Sequence, residues 1–116
     1  MGRADDIVWF EFVESKIFSK QIRELSVVLT RIQSDLVENP ERGAIVKGTH
    51  GVRKARVADP ASARGKSGSY RYLYLYLAHA GRIHLLYLFS KAEQADLSPR
   101  QKEIIGALAR EIRKER

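Results

Sequence analysis

The run Tyr70–Ala78, YRYLYLYLA, the turn at Ala80-Gly81 and the run Arg82–Ser90, RIHLLYLFS, together decide the architecture. In the first run Tyr72, Tyr74 and Tyr76 alternate with Leu73, Leu75 and Leu77. Successive side chains of a strand point to opposite faces, so this strand is apolar on both. The second run follows through a tight turn and is apolar enough to lie centrally in the same sheet.

Strand character extends toward the N-terminus. Val52–Ala58 alternates so that Lys54 and Arg56 share one face while Ala55 and Val57 share the other, with Arg53 pointing away from Lys54 and Arg56. The turn Gly48-Thr49-His50-Gly51 links it back to Ile45-Val46. Residues 59–69, DPASARGKSGS, are small, polar and glycine-containing, which predicts a loop inside one domain. Before Gly43 the period changes. Leu25, Leu29, Ile32 and Leu36 recur at spacings of four, three and four, which puts them on one helical face, and Asn39-Pro40 with Gly43 ends that helix. With Ser26 as a cap, residues 15–38 read as a helical hairpin. Ahead of it, Ile7, Trp9 and Phe12, with Val8, Phe10 and Val13, predict an opening strand near the middle of the sheet. At the other end, Ser98-Pro99-Arg100-Gln101 combines an N-cap, a proline at the first helical position and a capping-box glutamine. The helix it opens is expected to turn Ile104, Ile105, Leu108 and Ile112 inward. The order is β-α-α-β-β-β-α, an α+β domain with helices on a largely antiparallel sheet.

A chain of 116 residues fits a single domain spanning 1–116. No apolar run approaches the roughly 18 residues of a membrane span, and Met1–Asp6 lacks the features of a secretory leader. Cysteine is absent, which excludes disulfides and cysteine-based zinc sites and makes a reducing cytoplasm the default expectation. His50, His79 and His84 show no ligand spacing, so neither a metal nor another cofactor is expected. Gly65-Lys66-Ser67 echoes the end of a phosphate-binding loop, but Pro60 stands where that motif needs glycine.

Charge is the strongest functional signal. Between Lys47 and Arg71 seven basic residues (Lys47, Arg53, Lys54, Arg56, Arg64, Lys66, Arg71) face one acid, Asp59, so this segment carries +6 of the formal +7. Such a concentration is the footprint of a surface that meets a polyanion. Most of the tyrosines read as sheet packing, with Tyr70, beside the loop, as the exception that could stack on a base.

Three ordered motifs, GTHGVRKARV (48–57), GKSGSYRYLY (65–74) and FSKAEQADLS (89–98), resemble the HigB-like branch of the RelE/ParE toxin superfamily. That resemblance covers nearly the whole chain from Ile7 onward. It implies a toxin that cleaves messenger RNA in the ribosomal A site and is silenced by a cognate antitoxin, expected to be a helix-turn-helix DNA-binding protein. It also implies site residues: Lys54 as base, Arg56 as phosphate clamp, Arg71 as second phosphate ligand and Lys91 as the basic residue of the third motif, with Glu93 two residues on. Lys47, Arg53, Arg64, Lys66 and Tyr70 are the expected RNA or ribosome contacts. One position departs from the pattern. Many relatives carry arginine or asparagine between that lysine and glutamate, where this chain has Ala92, which leaves the general acid to Lys91, Lys66, Arg64 or the ribosome. Two other readings fit the same resemblance: a ParE-like inhibitor of DNA gyrase, which would not need the Lys54, Arg56, Arg71 cluster, and a non-catalytic RNA-binding module.

Overall fold

The structure, a computed structural model, describes residues 10–59 and 69–115. Residues 7–9 of the opening run, Arg64 and Lys66 lie outside them. Elements follow the order β1 (Glu11–Glu14), α1 (Lys16–Ile22), α2 (Ser26–Glu38), β2 (Ala44–Ile45), β3 (Arg53–Ala58), β4 (Ser69–Leu77), β5 (Arg82–Ser90) and α3 (Pro99–Lys114), with a 3-10 turn at Ala78–Ala80. The sheet is ordered β1-β5-β4-β3-β2, antiparallel except where β1 runs parallel to β5.

The two-faced reading of β4 explains the layering. Tyr72 and Tyr74, both fully buried, join Phe18, Ile22, Val28, Ile32 and Leu36 of the helical hairpin in one core. Leu73, Leu75 and Leu77 join Ile105, Ala109 and Ile112 of α3 in a second core on the other side. Burying both rows removes two apolar surfaces from water with a single strand. The tyrosine hydroxyls are not stranded by this. Tyr74 donates to Pro40 O (2.8 Å) and accepts from Gly43 N (2.9 Å), while Tyr72 accepts from Arg42 Nη1 at 3.4 Å. Burial pushes the Tyr72 hydroxyl up to about 12.

Strand β5 carries an irregularity that alternation alone does not announce. Leu73 pairs with Tyr87 but Tyr74 pairs with Leu85, so Leu86 is an extra residue, a bulge. Its effect is a phase change: Ile83, Leu85 and Leu88 face the hairpin core, while Leu86 and Phe89 face α3. Beyond the end of β1, α1 takes over the β5 edge. Ser15 N donates to Leu85 O and Ser15 Oγ to Leu86 O, and the Gln21 amide both donates to Leu88 O (2.6 Å) and accepts from Leu88 N (2.7 Å). Backbone groups that would otherwise template another strand are thereby occupied.

Four expectations from the sequence are corrected. The element order has one strand more than expected, because Ala44–Ile45 pairs with β3 as a separate short strand across the turn at Gly48–Gly51. The opening strand lies at the edge, paired with β5, rather than near the middle. Apolar residues report what packs above and below a strand, and nothing about what lies beside it. Ser26 is the first residue of α2 and not its cap; Leu25 occupies the cap position without a side-chain bond, because it packs into the hairpin core and turns the chain one residue earlier. In α3, Ile104 and Leu108 are 53% and 36% exposed, and the buried face is Ile105, Gly106, Ala109 and Ile112. The reason is close approach. A Cβ on Gly106 would sit 3.2 Å from Gly48 O and 3.3 Å from Thr49 Cα, so small residues, not the largest ones, define the face that docks on the β2–β3 turn. The start of α3 is as expected, with Ser98 and Gln101 exchanging both bonds of a capping box.

Candidate nucleic-acid interface

Pairing of β3 with β4 sets Arg56 directly opposite Arg71. Arg71 shares the face of Leu73 and Leu75, at the end of β4 where the leucine row gives way to polar residues. Two residues before it, Ser69 points the same way. Lys91 follows the end of β5, in a turn closed by Glu93, whose Oε1 accepts from Ser90 N (3.0 Å) and Ser90 Oγ (3.1 Å). Arg56, Ser69, Arg71 and Lys91 line one cavity of about 50 Å³. Three cations and a hydroxyl thus converge on one small, solvent-open space.

Inside that arrangement one group is incomplete. Arg71 Nη1 is buried and has no hydrogen-bond partner among the described residues. A buried guanidinium N–H without an acceptor is costly, and an anionic oxygen brought to Arg71 could satisfy it with a charge-assisted bond. Beside it, Tyr87 and Phe89 form a ring pair at 5.9 Å, with Phe89 directly across from Arg71.

Lys54 lies two residues before Arg56 on the same face, and its Nζ donates to Asp96 Oδ1 at 2.9 Å. This bond and that from Leu97 N hold the Asp96 carboxyl below the usual carboxylate range. The ion pair ties β3 to the segment leading into α3.

Other residues named from the sequence go elsewhere. Arg53, on the hairpin face, donates to Glu41 O (3.1 Å) and Gly43 O (2.7 Å) and so fastens the end of α2 to the sheet. Tyr70 belongs to the same face as Tyr72 and Tyr74, where it packs against the hairpin core near Gln21, Leu25 and Leu88. Its hydroxyl is pushed up by burial, then by Asp59 and Glu93. Lys47 is exposed in the β2–β3 turn. His50, in the same turn, adopts a left-handed conformation (φ 58°), and its carbonyl accepts from Arg113 Nε at 2.8 Å. Ser69 and Asp96 are the site residues that sequence reasoning missed. Asp96 lies inside the third motif, and its position just ahead of the Ser98 cap is the available signal; Ser69 falls at the end of the run whose composition predicts a loop.

Among the described residues no three or more His, Asp or Glu side chains are grouped to hold a metal ion, and no helix is long and apolar enough to cross a membrane. The fold is similar to that of a solved structure of E. coli toxin RelE, a double mutant in the free state, with a TM-score of 0.51. Identity is 16%, over 74% of this chain and 87% of that one. A family model described as the RelE toxin of the RelE/RelB toxin-antitoxin system matches residues 12–116, nearly the whole chain, and this protein therefore belongs to the RelE toxin family.

Proposed function

We propose that this chain is the toxin of a type II toxin-antitoxin pair, of the HigB-like branch, and that it inhibits translation by cutting messenger RNA in the ribosomal A site. The observation that carries the proposal is the cavity shared by Arg56, Arg71 and Lys91, with Arg71 Nη1 buried and without a hydrogen-bond partner among the described residues. Phosphodiester cleavage without a metal needs charge stabilisation on the phosphate as it becomes pentavalent, a more reactive 2′-oxygen and a proton for the departing 5′-oxygen. Arg56 and Arg71 clamp the phosphate, a task suited to planar guanidinium groups. Lys91, on the third side of the cavity, supplies the proton to the leaving oxygen. Lys54, on the same strand face two residues from Arg56, is assigned to the attacking side: paired with Asp96, its ammonium stabilises the 2′-alkoxide, whose proton passes to solvent water, in place of the base role the resemblance implies. Its partner in the pair is a cognate antitoxin, whose acidic surface would complement the Lys47–Arg71 segment.

Primer extension on a reporter transcript, translated in a cell-free bacterial system with the purified protein, tests this. Breaks are expected only on translated message, absent without ribosomes, and lost in the Lys54→Ala/Arg56→Ala double variant. Arg71→Ala alone is expected to slow cleavage by about 10²–10³-fold, the usual cost of one preorganised charge donor. An intact transcript despite blocked growth would shift the assignment to gyrase inhibition or plain RNA binding.

A further inference from the structure

Two ion pairs join distant parts of the described chain, Arg82–Glu11 at the far end of the sheet and Lys54–Asp96 on the strand face that carries Arg56. The second is built differently from an ordinary surface pair. Its side chains are 30% (Lys54) and 59% (Asp96) exposed, but the Asp96 backbone is restrained, because the next residue, Leu97, is 6% exposed and anchored in the core beneath α3. Asp96 Oδ1 also accepts from Leu97 N at 2.7 Å, and Asp96 O accepts from Gln94 Nε2 at 2.8 Å. Gln94 in turn bonds Gln101, the capping-box residue of α3, which reaches Tyr87. The Asp96 backbone is thus tied to a helix cap, a buried leucine and a glutamine pair, and its carboxylate, which also accepts from Leu97 N, grips a flexible four-carbon side chain that would otherwise sample many rotamers.

We infer that Asp96 is a positioning residue for the cationic site: it holds Lys54 Nζ beside the Arg56, Arg71 and Lys91 cavity, so that RNA meets this cation already oriented. The inference rests on the nuclease reading above and adds a residue to it. A carboxylate so near a phosphate site works against RNA binding, so its use lies in geometry, and its removal affects turnover and affinity in opposite senses.

Asp96→Asn separates the roles, since the amide oxygen can still accept from Leu97 N while the charge that holds Lys54 is gone. In single-turnover cleavage on programmed ribosomes, the maximal rate is expected to fall about tenfold or more while the half-saturating protein concentration stays level or drops. In a Lys54→Ala background the same change should cost nothing further. Thermal unfolding of Asp96→Asn should match the wild type, and the slowly exchanging Lys54 ammonium signal in ¹⁵N-lysine NMR should be present in the wild type and lost in the variant. An unchanged or raised maximal rate, an equal loss in the Lys54→Ala background, or an ammonium signal indifferent to Asp96→Asn overturns the inference while leaving the nuclease assignment standing. A wild type that leaves translated message intact overturns both.

Discussion

At the scale of single residues, the same β3 and β4 side chains divide cleanly by parity. Lys54, Arg56, Ser69 and Arg71 face α3, and Arg53 and Tyr70 face the hairpin. Parity also predicts energetics. Tyr74 is fully buried and its hydroxyl both donates and accepts, so Tyr74→Phe strands Gly43 N and Pro40 O and should lower stability by about 1–3 kcal/mol, read from urea unfolding. A loss below a few tenths of a kcal/mol would mean that water replaces the hydroxyl. The alternation of Tyr70 with Tyr72 and Tyr74 was visible in the sequence and already placed it on the hairpin side. Its proximity to the loop argues for the other.

Elements obey a different logic, because a helix face is chosen by what it docks on. Hydrophobicity alone nominated Ile104 and Leu108 for the buried side of α3, but Gly106 and Ala109 are what allow the helix to reach the β2–β3 turn. Ile104→Gln should therefore change stability by less than about 0.5 kcal/mol. By contrast Ile105→Ala, at 8% exposure, should cost about 2–5 kcal/mol, and a denaturation series on the two variants checks the rotation of the helix directly. The start of α3 needed no such context. Ser98, Pro99 and Gln101 form a local code whose bonds close within four residues, so it was legible without knowledge of the rest of the chain.

For the whole molecule, one sheet is covered on both sides, and the cost of doing so shows at His84. Its side chain lies 7% exposed on the face toward α3, near Arg82, Glu115 and Glu11, with Nε2 buried and without a partner among the described residues. Burial, and then Arg82, lower its pKa from the ordinary 6.5, outweighing the two glutamates. The folded state then binds fewer protons than the unfolded chain in the window below 6.5, so stability is full above that pH and declines as the pH falls toward the folded value. Melting temperature should drop between pH 7.5 and 5, and His84→Leu should flatten that slope; a slope unchanged by the substitution would assign the effect to other groups.

The sequence by itself determined the order and bounds of most elements, the two apolar faces of β4, the capping of α3 and the concentration of positive charge between Lys47 and Arg71. These are properties of period and local chemistry, carried by residues within a few positions of one another. Only the tertiary structure decided that β1 lies at the edge, that β5 bulges at Leu86, that Arg56, Arg71 and Lys91 meet around one cavity, and that Asp96 grips Lys54. Those depend on which strands pair and in what register, a choice made by the summed packing of segments far apart in the chain, and no local period encodes it.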